Sequence, residues 1–334
     1  MPHHFLLLAT MLMASVTSSF AAESSPSTQQ CAGQPATAAE AAGNTKKLVL
    51  LDNFYHHQTR NGIRYHYTWD DVGPSGYSKL GALFADNGAV VEHLAEAPTA
   101  ENLRRCSVYI IVNPDTVQKA DDHKPNYITT LAADIIQEWV SAGGVLMLMN
   151  NDKDNAEFEH FNILAKRFGI TFNEDGRNEA PHHEPDQMQI KTKLFADHPI
   201  LQNVSLVSMR GICTLKVQCP AKAIVTASKE AGEGSDVIMA TSSLGKGRVF
   251  AVGDPWLYNE YIHTVDNYKA AENLVQWLMG TVKPAKQNAP AGLPSPSVKP
   301  VSDSFLEKPA GLAREASTPP GVSKPLSEFA RLPP

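Results

Sequence analysis

The chain has 334 residues, of which 43% are hydrophobic and 19% charged, and its formal net charge at pH 7 is -6. This composition is typical of a folded globular chain and excludes a fibrous or wholly disordered protein. The acidic balance argues against nucleic acid and anionic membranes as partners, because basic surfaces bind both.

The first residues have the pattern of a signal peptide. Residues 5–16 form a short apolar segment (FLLLATMLMASV) that suits export and is too short to span a membrane. Small side chains at Ser19 and Ala21 predict cleavage after Ala21 or Ala22. We therefore predict a signal peptide over residues 1–21 and a secreted or periplasmic protein. A buried N-terminal strand or helix is the alternative, because the segment has no Lys or Arg before it.

Two biased segments flank the predicted folded part. Residues 22–45 are rich in Ser, Thr, Gln and Ala, and residues 282–334 are dense in proline. Both compositions predict disorder, so the folded domain is expected over residues 46–281. The cysteines of an exported protein can form disulfide bonds, and the close spacing of Cys213 and Cys219 permits a disulfide between them. Free buried thiols explain the same residues equally well.

The folded part begins with alternating strands and helices. Apolar runs predict buried strands at residues 47–53, 89–94, 107–112, 145–149 and 170–173. Helical spacing predicts helices at residues 78–87, 128–141 and 158–168, and Thr99 is expected to cap a short helix between the second and third strands. Helices between buried strands form βαβ units. We predict an α/β fold, a flavodoxin-like three-layer sandwich with a mainly parallel central sheet.

The second half is richer in strands. Strands are predicted at residues 188–193, 207–217, 223–227, 236–242 and 248–252. Gly245, Lys246 and Gly247 form a predicted tight hairpin turn before the last strand. A helix at residues 268–278 closes the domain. The fold is therefore expected to carry extra β-strands in its second half.

Polar side chains follow four of the predicted strands. They are Asp52, Asn53, Asn113, Asp115, Asn150, Asn151, Asp152 and Asp254. Ligands of open parallel sheets bind beyond the carboxyl ends of the strands, so these residues predict a site at that edge. Turn formation alone is the alternative, because Asp and Asn favour turns.

Aromatic side chains are dense in the loops after the first and last of these strands. Tyr55, Trp69, Trp256 and Tyr258 supply rings, with acids and histidines between them. Rings stack on pyranose faces and polar groups bind sugar hydroxyls, so the loops predict an oligosaccharide ligand. A buried aromatic cluster is the competing explanation.

A pair of carboxylates in such a site could hydrolyse a glycosidic bond. The candidate catalytic residues are Asp70, Asp254, Glu260 and His66. The candidate substrate-binding residues are Asp52, Asn53, Tyr55, Trp69, Asp115, Asn150, Asn151, Asp152, Trp256 and Tyr258. Zinc-protease, serine-hydrolase and P-loop motifs do not occur in the sequence, so we predict neither a metal nor another cofactor.

Several segments resemble a known superfamily. They include LLDNFYHH (50–57), RYHYTWDD (64–71), GGVLMLMNND (143–152) and GKGRVFAVGDPWLYNEY (245–261). These segments are similar to the class I glutamine-amidotransferase-like superfamily, and more narrowly to the C-terminal accessory domain of bacterial unsaturated rhamnogalacturonyl hydrolases. The resemblance implies a flavodoxin-like domain. Asn150, Asn151 and Asp152 stand where true amidotransferases carry a cysteine, which disfavours glutamine hydrolysis.

The resemblance also shapes the functional hypothesis. It implies acidic, rhamnogalacturonan-like or pectin-like oligosaccharides as ligands. The crowding of Asp, Glu and His at the sheet edge favours catalysis, so the first hypothesis is an exported glycoside hydrolase that uses acids at this edge. The alternative is a non-catalytic carbohydrate-binding or partner-docking module beside a separate hydrolase, because that family performs its chemistry in a different domain.

Overall fold

The computed structural model describes residues 46–119, 124–191, 196–226 and 236–281. The predicted signal peptide (1–21), leader (22–45) and proline-rich tail (282–334) lie outside the described residues. The strands are β1 Lys47–Asp52, β2 Thr59–Arg60, β3 Ile63–Arg64, β4 Ala89–Leu94, β5 Val108–Val112, β6 Val145–Met149, β7 Ile170–Phe172, β8 Gln189–Lys191, β9 Leu206–Ser208, β10 Leu215–Val217, β11 Lys222–Thr226, β12 Val237–Leu244 and β13 Gly247–Val252. The helices are α1 Ser78–Asp86, α2 Ala100–Arg104, α3 Thr130–Ala142, α4 Phe161–Ala165 and α5 Asn267–Met279.

A mainly parallel sheet forms the centre of the described residues. Its order is β4-β1-β5-β6-β13-β12-β10-β7, and β11 also pairs with β12. The first five of these strands run parallel to one another. Strands β5 and β6 are buried at every position, which explains their continuous apolar sequences. The predicted α/β class with a mainly parallel sheet is confirmed.

Helices cover both faces of this sheet. Side chains alternate along β1, so Val49 and Leu51 enter one hydrophobic core and Leu50 enters the other. Helices α1 and α5 contribute to the first core, and α2, α3 and α4 contribute to the second. The result is a three-layer sandwich in which the carboxyl ends of β1, β5, β6 and β13 meet at one edge.

The antiparallel strands extend the sheet beyond β13. Strands β12 and β13 form a hairpin whose two-residue turn is Gly245 and Lys246, with Gly245 at φ +57°. A left-handed backbone of this kind favours glycine, so the predicted turn is confirmed. Strand β10 pairs antiparallel with β12, and β7 pairs antiparallel with β10.

Two predicted elements differ from the structure. Residues 207–217 form two strands, β9 and β10, because the chain between them turns at Gly211, where φ is +63°. The helix predicted at 158–168 begins only at Phe161 and ends in a 3-10 turn. The Glu157 carboxylate accepts the backbone N–H groups of His160 (2.8 Å) and Phe161 (2.9 Å) and so fixes the late start.

Cys106 and Cys213 are free, buried thiols. Cys213 therefore forms no disulfide bond with Cys219. Among the helices of the described residues, none is long and apolar enough to cross a membrane.

Candidate functional site

A polar pocket of about 650 Å³ opens at the carboxyl edge of the sheet. The loops after β1, β5, β6 and β13 all contribute to it. Its lining comprises Gln58, Arg60, Tyr65, His66, Tyr67, Ser75, Asn113, Gln118, Lys119, Asn151, Asp152, Asn155, Glu179, Arg210, Gly211 and Tyr258. This is the position at which parallel α/β sheets bind ligands.

Asn113 directly follows β5 and lines the pocket. Its backbone has φ +43°, and its N–H donates to the Met149 carbonyl at 2.8 Å. The side chain hydrogen-bonds to Tyr67, but its Oδ1 is buried and accepts no hydrogen bond from the described residues. A buried, unsatisfied oxygen costs free energy unless water or a ligand supplies a donor. Asn113 is therefore equipped to accept a hydrogen bond from a ligand.

The loop after β6 places a carboxylate in the pocket. Both oxygens of Asp152 accept from Asn155 Nδ2, at 2.7 and 2.9 Å. Lys119 Nζ donates to Asn155 Oδ1 at 2.6 Å and so stands beside the same group. Gly211 leaves room for Asp152, since a Cβ at Gly211 would lie 2.5 Å from Asp152 Oδ2.

Cations outnumber carboxylates in the lining. Arg60, Lys119 and Arg210 are cationic, against Asp152 and Glu179. Burial lowers the pKa of Lys119, and the Asp152 and Asp115 carboxylates counteract that effect. The pocket therefore favours an anionic ligand with polar substituents.

Histidine and glutamate in the lining also have shifted pKa values. Burial, helped by the charges of His56 and Arg60, lowers the pKa of His66 to about 4, so this imidazole is neutral at pH 7. Burial and the nearby Asp152 raise the pKa of Glu179. A Cβ at Gly176 would lie 2.2 Å from Glu179 Oε1 and 3.6 Å from Asp152 Cβ. Glu179 and Asp152 are thus close neighbours.

Three tyrosine rings line the pocket, those of Tyr65, Tyr67 and Tyr258. The ring centroids of Tyr67 and Tyr258 are 6.2 Å apart with the planes at 67°, and Tyr65 carries the Arg60 guanidinium 4.3 Å above its ring. Such rings offer apolar contact beside polar groups. Within the described residues, no group of three or more His, Cys, Asp or Glu side chains is arranged to hold a metal ion.

Comparison with known proteins assigns the family. Residues 70–275 match the profile of a domain of unknown function, DUF4350, over more than half of the chain. The chain belongs to the DUF4350 family. No curated protein matches it.

Three solved structures are similar to this DUF4350 member. The mmIFT52 N-terminal domain has a TM-score of 0.54 at 17% identity, with 70% of this chain and 97% of that domain covered. Cytoplasmic protein STM1381 from Salmonella typhimurium LT2 has a TM-score of 0.46 at 16% identity, covering 70% and 99%. Cytoplasmic protein STM3548 from Salmonella typhimurium has 0.44 at 14%, covering 69% and 98%. At 17% identity the likeness to the mmIFT52 domain shows the fold alone.

The resemblance to amidotransferase-like and rhamnogalacturonyl-hydrolase accessory domains is therefore wrong. The family whose profile matches over more than half of the chain is DUF4350. The physical reason lies in the segments that carried the resemblance. Residues 50–57 and 143–152 each combine a buried parallel strand with the polar turn that follows it. Many α/β sheets need that combination, so it indicates the fold and not a family.

The structure does not bring the four candidate catalytic residues together. His66 lines the polar pocket, whereas Asp254 is buried beneath the surface. Asp70 is exposed in a second pocket, where its Oδ2 lies 3.6 Å from His93 Nδ1. Glu260 Oε1 lies 3.9 Å from His183 Nδ1.

The candidate binding residues divide into three groups. Asn151, Asp152 and Tyr258 line the polar pocket, and Asn53 lines the second pocket. Four more are buried. Trp69 Nε1 donates to the Glu92 carbonyl, Trp256 Nε1 donates to Asn267 Oδ1, and Asn150 Nδ2 donates to the Glu157 carbonyl. Tyr55 packs in a hydrophobic core. Asp52 and Asp115 are also buried and bind neighbouring backbone N–H groups.

Sequence analysis missed the cations and their partners. Lys119, Asn155, Glu179 and Arg210 line the pocket but lie in segments distant from one another in sequence. Arg210 lies within residues 207–217, which the sequence predicts to be one strand. The adjoining Gly211 was the available signal, because a glycine inside an apparent strand marks a bend or a close approach.

Proposed function

We propose that the polar pocket binds an acidic saccharide and that the protein is an exported carbohydrate-active protein. The supporting observation is that Arg60, Lys119 and Arg210 share one pocket with five side-chain amides and three tyrosine rings. Cationic side chains pair with a uronate carboxylate. Amides donate to and accept from hydroxyl groups, and the rings contact the apolar face of a pyranose.

The proposed location rests on the N-terminal sequence. Residues 5–16 are apolar, and Ser19 and Ala21 provide small side chains at a cleavage position. We propose that this segment directs the protein to the periplasm or outside the cell, where polysaccharide fragments are available.

Calorimetry tests the binding proposal. Glucuronate and galacturonate are compared with glucose and galactose, which carry a hydroxymethyl group in place of the carboxylate. We expect at least one uronate to bind and its neutral counterpart to bind about tenfold more weakly or not at all, because a charge-assisted hydrogen bond is lost. Lys119→Gln should weaken uronate binding. Lys269→Gln is the matched control, since Lys269 pairs with Glu272 on α5.

The outcome decides between clear alternatives. Equal binding of uronate and neutral sugar would contradict the role of the cations. No binding of any of these sugars would contradict the proposed function. Urea unfolding of each variant verifies that a change in affinity does not come from loss of the fold.

Glycoside hydrolysis is a second candidate, favoured by the proximity of Glu179 and Asp152. The raised pKa of Glu179 suits a general acid, and Asp152 would serve as its partner. Mass spectrometry of uronate-containing oligosaccharides should then show products that Glu179→Gln abolishes while binding persists. Binding without products would identify a non-catalytic module.

A further inference from the structure

We infer that the ligand is at least a disaccharide, with its acidic unit in the polar pocket and a neutral unit in a second pocket beside it. This inference rests on the proposed function. The second pocket has a volume of about 630 Å³, and its lining includes Ile63, Arg64, Thr68, Asp70, Val72 and His93. We call these the acidic-unit pocket and the neutral-unit pocket.

The two pockets share a wall. Arg60 and Tyr65 line both of them. They belong to the β2–β3 hairpin and the residue directly after it, and the Arg60 guanidinium lies 4.3 Å above the Tyr65 ring. A ligand that reaches over this exposed arginine therefore contacts both pockets. A single monosaccharide fills one of them only.

The charges of the neutral-unit pocket disfavour a second carboxylate. Asp70 and Asp71 are acidic, and the side chain of Asp70 is 89% exposed. Before a ligand binds, Arg60 and Arg64 balance these two carboxylates in this pocket. Once Arg60 pairs with the uronate in the acidic-unit pocket, Arg64 alone remains against both carboxylates. Carboxylates accept hydrogen bonds from sugar hydroxyls but repel a uronate. This pocket therefore suits an uncharged pyranose.

Apolar side chains complete the same pocket. Ile63 is 71% exposed and Val72 is 84% exposed, which makes them two of the most exposed large hydrophobic residues described. Exposed apolar side chains that line a pocket can contact an apolar part of a ligand. They match the C–H face of a pyranose ring, whereas Asp70 and His93 lie beside them for its hydroxyl groups.

Calorimetry with probes of increasing length tests this inference. Glucuronate, glucuronosyl-glucose and glucuronosyl-glucuronate are titrated into the full chain. We expect glucuronosyl-glucose to bind about tenfold more tightly than glucuronate, and the diuronate to gain less. Val72→Ser should remove the gain of the disaccharide without changing glucuronate affinity. Leu131→Ser is the matched control, because Leu131 is 70% exposed on α3 and lines neither pocket.

The failures of the two proposals are distinguishable. If no uronate-containing probe binds, the proposed function is overturned, and the inference falls with it. If glucuronate binds but the disaccharide gains nothing, or Val72→Ser weakens both probes equally, only the two-pocket inference is overturned. If the diuronate binds as tightly as glucuronosyl-glucose, the neutral character of the second pocket is wrong.

Discussion

Two carboxyl groups at the strand ends are fully buried, those of Asp52 in the last position of β1 and Asp254 in the loop after β13. Asp52 accepts from the N–H of Tyr55 at 2.8 Å and from the Tyr109 hydroxyl at 3.0 Å. Asp254 accepts from the N–H groups of Trp256 (3.0 Å) and Arg210 (3.1 Å). Burial outweighs these hydrogen bonds and raises each pKa to about 7.

These pKa values predict how stability depends on pH. A carboxyl whose pKa is higher in the folded state contributes stability that is complete below its unfolded value and is lost as pH rises through its folded value. The free energy of unfolding should therefore fall between about pH 4 and pH 7, by about 4 kcal/mol for each carboxyl as an order of magnitude. Asp254→Asn should reduce this decrease, as urea unfolding at fixed ionic strength would show.

The control is Asp86→Asn, which removes an exposed carboxylate from α1 and should keep the wild-type pH dependence. An Asp254→Asn variant with an unchanged decrease would contradict the assignment. The double variant Asp52→Asn/Asp254→Asn should show the smallest decrease.

At the scale of single residues, the sequence predicted which edge of the sheet holds the polar side chains, but not the direction in which each side chain points. Asp52, Asp152 and Asp254 all lie at or just beyond the ends of parallel strands. The carboxylates of Asp52 and Asp254 accept hydrogen bonds from backbone N–H groups of their own loops, whereas Asp152 lines the pocket. Local turn geometry decides between these directions, and the spacing of residues does not encode it.

At the scale of elements, apolar runs predicted most strands, whereas the two-residue strands β2 and β3 were not predicted and residues 207–217 were predicted as a single strand. The runs that became β5 and β6 are buried on both faces, so burial alone specified them. Residues 207–217 have the composition of one strand but divide into β9 and β10. The chain between them brings Gly211 against Asp152, a contact between distant segments that composition cannot reveal.

The bend at Gly211 gives a second prediction. Gly211→Ala places a Cβ 2.5 Å from Asp152 Oδ2 and also strains a backbone at φ +63°. Gly88→Ala is the matched control, because Gly88 has φ +83° but no atom within 4 Å of the added Cβ. Left-handed strain alone costs about 1–2 kcal/mol.

We therefore expect Gly211→Ala to lower the free energy of unfolding more than Gly88→Ala, and to weaken uronate binding, which Gly88→Ala leaves intact. Urea unfolding and calorimetry measure the two effects. Equal destabilisation by both variants would show that Asp152 moves aside without cost and that the contact does not shape the pocket.

At the scale of the whole molecule, the two hydrophobic cores are inseparable because one sheet serves both. Adjacent residues of β1 alternate between the cores, and the same holds for β5, where Ile110 enters one core and Ile111 the other. Loss of either core would leave a sheet face bare to water. The described part of the chain is therefore expected to unfold as one cooperative unit.

Tryptophan fluorescence can test this cooperativity, because each core has a tryptophan of its own. Trp256 is buried in the first core, and Trp139 packs against the second. Variants of the full chain that retain only one of these two, with the other tryptophans changed to phenylalanine, report on one face each. We expect the fluorescence midpoint in urea to coincide with the far-ultraviolet circular dichroism midpoint of the same variant, for both variants. A fluorescence transition that precedes the loss of secondary structure in either variant would mean that one layer detaches first. The pocket depends on loops from several strands, so its stability would then be coupled to only part of the fold.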